Sequence, residues 1–167
     1  MRATQHAIRN THHASRITFY VLLITLLFSA CAPSDNSAPQ PPDIAYGRDL
    51  CDACGMIISD AKFAAATVLA DGETRKFDDI GDMFGYHGDH PEHQVRAWFV
   101  HDHDTEKWLR GEKAFYVVGP SIQSPMGHGI VAFAEKAAAE TFAAGLGVNA
   151  LTFDEARAAA HMEMHGR

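Results

Sequence analysis

Apolar residues of this chain fall into one long N-terminal run and then into short runs cut by turn residues. Residues 17–28 (ITFYVLLITLLF) are almost unbroken, after a polar, basic start and before Ser29-Ala30-Cys31. As a helix that stretch would rise only about 18 Å, short of the roughly 30 Å of bilayer hydrocarbon. It predicts an export signal over residues 1–30 rather than a membrane span. Residues 31–42 follow with Pro, Ser, Asn and Asp and no apolar period, which predicts a disordered, solvated tether.

From residue 43 onward the pattern changes to short strands and amphipathic helices. Residues 61–70 (AKFAAATVLA) end in Asp71-Gly72, a hairpin signal, and residues 73–77 can pair back across it. Asp78-Asp79 supplies a helix start, Ile80, Met83 and Phe84 give an i, i+3, i+4 apolar face, and residues 85–91 are expected to break the helix. Residues 95–101 (VRAWFVH) then read as a strand. The second half repeats this order: strand 113–118, loop 119–129, strand 130–133, helix 134–144 and strand 148–153. Thr152 and Glu155 fit a capping box, so a final helix is expected from about 154 to 165. The expected fold is α+β: two small β-β-α-β units, residues 43–110 and 111–167, too small to stand alone and therefore packed together, with a C-terminal helix.

Composition narrows the possible partners. The chain of 167 residues is 47% apolar, too apolar for a disordered protein, and its three cysteines are too few for a disulfide scaffold. The formal net charge is −7, yet residues 1–30 hold three arginines and no acid. All 21 acidic side chains therefore lie in the remainder, which would repel phosphate backbones, and nucleic-acid binding is excluded on that ground.

The chemistry is concentrated in sulfur. Cys51-Asp52-Ala53-Cys54 is followed by Gly55-Met56, and a CxxC turn brings two sulfurs within a few Å. Three readings compete. A thiol-disulfide oxidoreductase needs its second cysteine in the first turns of a helix, but Gly55-Met56-Ile57-Ile58 is poor helix material. A plain disulfide in a binding module is the second reading. The third is a metal site. Structural zinc wants four ligands, and no second CxxC exists. Copper(I) accepts few ligands and prefers thiolate and thioether sulfur. Met126, in Ser124-Pro125-Met126-Gly127-His128-Gly129, has no helical or strand period to place it in a core, which favours a ligand role over gap filling. Met83, on an apolar helix face, reads as core.

Three histidine-containing stretches read more plainly. His87, His90 and His93 recur every third residue beside Gly88 and Pro91, and the expectation is a solvated polar loop. His101-Asp102-His103-Asp104 reads as solvation of a strand end. His161 and His165, with Met162 and Met164, can share one helix face as an auxiliary copper site or simply close a frayed terminus.

Taken together, the CxxCGM motif (Cys51, Cys54, Met56), Phe77-Asp78-Asp79-Ile80 and Ser124-Pro125-Met126-Gly127, behind Ser29-Ala30-Cys31, resemble the NosL family over about residues 50–151. The last triplet resembles a bacterial lipobox with Cys31 as the lipidated residue, although Phe28 departs from the aliphatic residue usual there. The resemblance implies a periplasmic lipoprotein, anchored to a bacterial membrane by lipid, that serves as a copper(I) chaperone for the maturation of nitrous oxide reductase. Its implied partners are the copper ion, that reductase and an ABC-type copper/sulfur maturation transporter. It implies no catalysis. On this reading Cys54 and Met126 hold the ion, and Cys51, Met56 and His128 complete or shield the site. A periplasmic thiol-disulfide oxidoreductase using the CxxC pair stands as the alternative.

Overall fold

The computed structural model describes residues 38–165, with side chains as far as Met162. The expected signal segment, Cys31 and most of the tether lie outside the described residues. Within them the chain is already against the body at Pro39, Pro41 and Pro42, which are half-buried, and Ile44 enters the core. No helix among the described residues is long and apolar enough to cross a membrane.

Strand β1 (Ala65–Leu69) pairs antiparallel with β2 (Thr74–Phe77) on one side and with β3 (Val95–His101) on the other. A short β4 (Trp108–Arg110) extends this sheet, giving the order β2-β1-β3-β4. In the second sheet β5 (Phe115–Val118) lies between β6 (Ile130–Phe133) and β7 (Ala150–Leu151), again antiparallel throughout. Helices α1 (Ile80–Asp89), α2 (Lys136–Leu146) and α3 (Phe153–His165) complete the chain. The architecture is α+β, as the periodicity predicts, and in both sheets the strand that comes first in sequence has a hydrogen-bonded neighbour on each side.

The two sheets share one core. Ala65, Trp98 and Val100 from the first and Tyr116, Ile130 and Ala132 from the second enclose Ile80, Met83 and Phe84 of α1 with Ala156 and Ala160 of α3. The opposite face of the second sheet, with Val117, Val131 and Phe133, packs on Ala139 and Ala143 of α2. Adjacent residues of β5 and β6 thus serve different cores, so these strands read as continuous apolar runs rather than alternating ones.

Two expectations need correction, and a third element lies outside them. First, α1 is not broken at Gly85; it runs on to Asp89, with His90 as its C-cap, and stops two residues before Pro91. A helical glycine costs about 1 kcal/mol, and burial of Met83, Phe84 and His87 on this helix outweighs that. Second, the strand end at His101 and Asp102 is not solvated. His101 is buried, donates from Nδ1 to the Ala64 carbonyl (3.0 Å), and its ring lies against Trp108, 3.7 Å between centroids. Asp102 joins the sheets: it bridges in parallel to Ala132, and its Oδ1 accepts from Ala134 N at 2.9 Å. Third, the three-residue β4 has no period long enough to read; Arg110 holds it by laying its guanidinium over Phe99 at 5.3 Å.

Candidate metal centre

The CxxC segment is a turn, not the start of a helix. Leu50 and Ile57 form an antiparallel bridge that closes it, and inside the bridge Cys51 N donates to Met56 O (2.8 Å) while Gly55 N donates to Cys51 O (2.9 Å). Gly55 sits at φ +73°, a left-handed conformation that a side chain would disfavour. The turn is pinned to β2: Asp52 N donates to Lys76 O (2.8 Å), and Lys76 N donates to Asp52 Oδ2 (2.6 Å). Cys51 faces inward and is 2% exposed, whereas Cys54 stands at the surface; both are free thiols.

β2 runs directly into the N-terminus of α1, which delivers three carboxylates beneath this turn. Cys51 Sγ lies 3.4 Å from Asp82 Oδ2 and Cys54 Sγ 3.5 Å from Asp78 Oδ1. Ligand atoms of Cys51, Cys54, Asp78 and Asp82 all fall within 4.8 Å of one another. Asp79 is the N-cap, its Oδ1 accepting from Gly81 N at 2.8 Å. That leaves Asp79 Oδ2 to accept from Ser124 Oγ (2.5 Å) and from Met126 N (3.1 Å). One aspartate therefore starts the helix and ties down the methionine loop. His128, two residues further on, places Nε2 2.9 Å from Asp82 Oδ1. It crosses the first turn of α1 so closely that a Cβ on Gly81 would collide with its ring.

The electrostatics keep both thiols protonated. Burial raises the Cys51 pKa well above the usual thiol range, and the nearby carboxylate of Asp78 adds to this. Cys54 is raised too, by burial first and by the neighbouring Asp82. Burial pushes Asp82 upward, but hydrogen bonds from His128, Cys54 and Cys51 outweigh it and hold the carboxyl below its ordinary value. The buried Asp79 is raised, despite the bonds from Ser124 and Gly81. Soft sulfur donors over an acidic floor suit a soft cation that displaces thiol protons as it binds.

Of the residues singled out by sequence, Cys51, Cys54 and His128 meet through Asp82, and the Met126 backbone is fastened to the same helix end. Met126 is 38% exposed and Met56 54%, both unusually open for methionine. Asp78, Asp79 and Asp82 are the members that reading for ligands misses. Their signal is present: an Asp-Asp pair at a helix start with a third aspartate one turn on.

The NosL family model matches residues 45–161. A curated relative, the copper-binding lipoprotein NosL of Stutzerimonas stutzeri, is 26% identical over 155 residues, covering 86% of this chain and 81% of its own. The crystal structure of the copper chaperone NosL from Shewanella denitrificans superposes with a TM-score of 0.61 at 26% identity, covering 71% of this chain and 96% of that one.

Proposed function

The chain belongs to the NosL family, and from that premise we propose that it is an exported, lipid-anchored carrier of copper(I) without catalysis of its own. Cys54 thiolate and Met126 thioether hold the ion, Cys51 stands behind them in the buried half of the site, and Met56 and His128 close it. The convergence of the CxxC turn and the methionine loop on one helix end, through Asp79 and Asp82, carries this reading. Copper of this kind is cargo. Ligands on two loops let an acceptor displace them one at a time, and exposed Leu50, Met56 and Ile57 around Cys54 form an apolar rim on which an acceptor can seat.

The oxidoreductase alternative fares worse on the same geometry. A redox CxxC depends on a depressed thiol pKa, whereas both thiols here are raised and neither lies on a helix. The named relatives point to the delivery of copper, and the family resemblance points to nitrous oxide reductase, loaded with an ABC-type transporter, as recipient. The presence of Cys31 behind a signal-like segment supports a periplasmic anchor.

Anaerobic titration of copper(I) against a chromophoric chelator tests the site. Cys54→Ser and Met126→Leu should each weaken binding, and unchanged affinity in both would refute the assignment. Insulin-reductase turnover by the copper-free chain would favour the enzyme instead.

A further inference from the structure

The other end of α1 carries a different set of donors. His90 caps the helix, its N–H donating to Tyr86 O at 2.9 Å, and Pro91 turns the chain so that His93 N donates back to His90 O at 3.0 Å. This brings the two imidazoles together, 5.3 Å apart and inclined by 20°, with Tyr86 packed on both at 4.5 and 5.7 Å. Glu92 closes the group, with Oε1 3.0 Å from His90 Nδ1. One ligand atom from each of His90, Glu92 and His93 lies within 4.8 Å of the others. Two nitrogens bound to one ion at about 2.1 Å each stand at most about 4.2 Å apart, so small side-chain rotations bring the set to coordination distance. His93 Nδ1 is buried and has no hydrogen-bond partner among the described residues.

We propose that His90, Glu92 and His93 form a second metal site, specific for a divalent ion of borderline hardness, with Cu(II) the tightest and Zn(II) next. Two imidazoles and a carboxylate select such ions over monovalent copper, which prefers sulfur. The helix favours it as well, since the C-terminal end of α1 presents carbonyl oxygens and the negative pole of the dipole to a cation. Three protein ligands leave positions open to water, so the ion exchanges. The site stands about 12 Å along α1 from the sulfur cluster, at 1.5 Å per residue. An open groove of about 230 Å³ joins the two, from Ala53, Asp82 and His128 past Tyr86 and Asp89 to His90. The proposal is independent of copper(I) binding and involves no electron transfer.

The test uses the full chain carrying Cys51→Ala and Cys54→Ala, titrated with Cu(II) and followed by electron paramagnetic resonance and by broadening of histidine ring signals in NMR. Nitrogen splitting from two imidazoles and selective loss of the His90 and His93 signals are expected. His90→Ala with His93→Ala should weaken binding at least tenfold, and Glu92→Gln should weaken it less while leaving both nitrogens bound. Should the cysteine variant not fold, Zn(II) is added to the unmodified reduced chain, where the second equivalent should shift the His90 and His93 rings. Broadening centred on His128 or His161, or unchanged affinity in the double histidine variant, overturns the assignment.

Discussion

Helix α1 has two chemically opposite ends. Its first turn gathers thiols, a histidine and three aspartates from the CxxC turn, the methionine loop and the helix itself. Its last turn and the loop after it gather two histidines and a glutamate from a stretch of four residues. The helix field accounts for part of this partition, because free N–H groups at the start favour anions and free carbonyls at the end favour cations. Locality accounts for the rest. The first site depends on contacts as distant in sequence as Asp79 with Met126, whereas the second depends on one turn of chain held by Pro91. A long-range site responds to the whole fold; a local one responds to its own loop.

Removing sulfur separates the ends most sharply. With Cys51 and Cys54 both replaced by alanine, copper(I) affinity should fall by more than about 100-fold, beyond what a change outside the ligand set produces. Competitive chelator titration measures this, and retention of affinity would mean that the first turn is not the sulfur site. Next in size is acid. His87 lies between the ends with its Nε2 2.9 Å from Thr67 Oγ1, and burial holds its pKa down to about 4. The unfolded chain takes up a proton near pH 6.5 and the folded chain only near 4. Stability is therefore undiminished above about pH 6.5, falls between these values and levels off below about 4, with a loss on the order of 3 kcal/mol. Urea midpoints across that range read it, and His87→Gln should flatten the profile.

Asp79→Ala removes the cap and the clasp together. A cost of about 2 kcal/mol is expected in chemical denaturation, with weaker copper(I) binding and an unchanged histidine cluster. Equal weakening at both ends would show that they are not separable. The smallest effect belongs to Asp82→Asn. It should lower copper(I) affinity by about tenfold, since this group orients sulfur and His128 without being the soft ligand. Because both thiols are protonated in the metal-free protein, affinity should also rise with pH as each displaced proton becomes easier to lose.

Sequence pattern located the elements that depend on local signals. The hairpin at Asp71-Gly72, the Asp79 cap and the Thr152–Glu155 box all appear where the turn and cap chemistry put them. It failed where tertiary contacts overrule propensity. Gly85 and Gly88 stay helical because α1 is anchored in the shared core, and Asp102 is buried because a second sheet arrives against it. The candidate sulfur ligands were legible because Cys and Met are scarce outside cores, so Cys51, Cys54 and Met126 stand out. The aspartates were not, since Asp at a helix start is ordinary and only the fold reveals that Asp79 spends its second oxygen on a loop 45 residues away. The histidine cluster was visible as spacing but read as solvent-facing, because spacing does not show that His87 turns inward while His90 and His93 stack.

The bifurcated role of Asp79 couples any opening of the methionine loop to the start of the helix. Pulling the methionine loop outward leaves Oδ2 of a buried carboxylate bereft of both its donors, a penalty of about 1–3 kcal/mol. The loop is therefore held in place by default, and under the proposed carrier role a recipient would have to supply a replacement donor, or a proton, before the Met126 thioether comes free. On that reading unloading would become a handshake, granted only to a surface that brings the missing hydrogen bond with it.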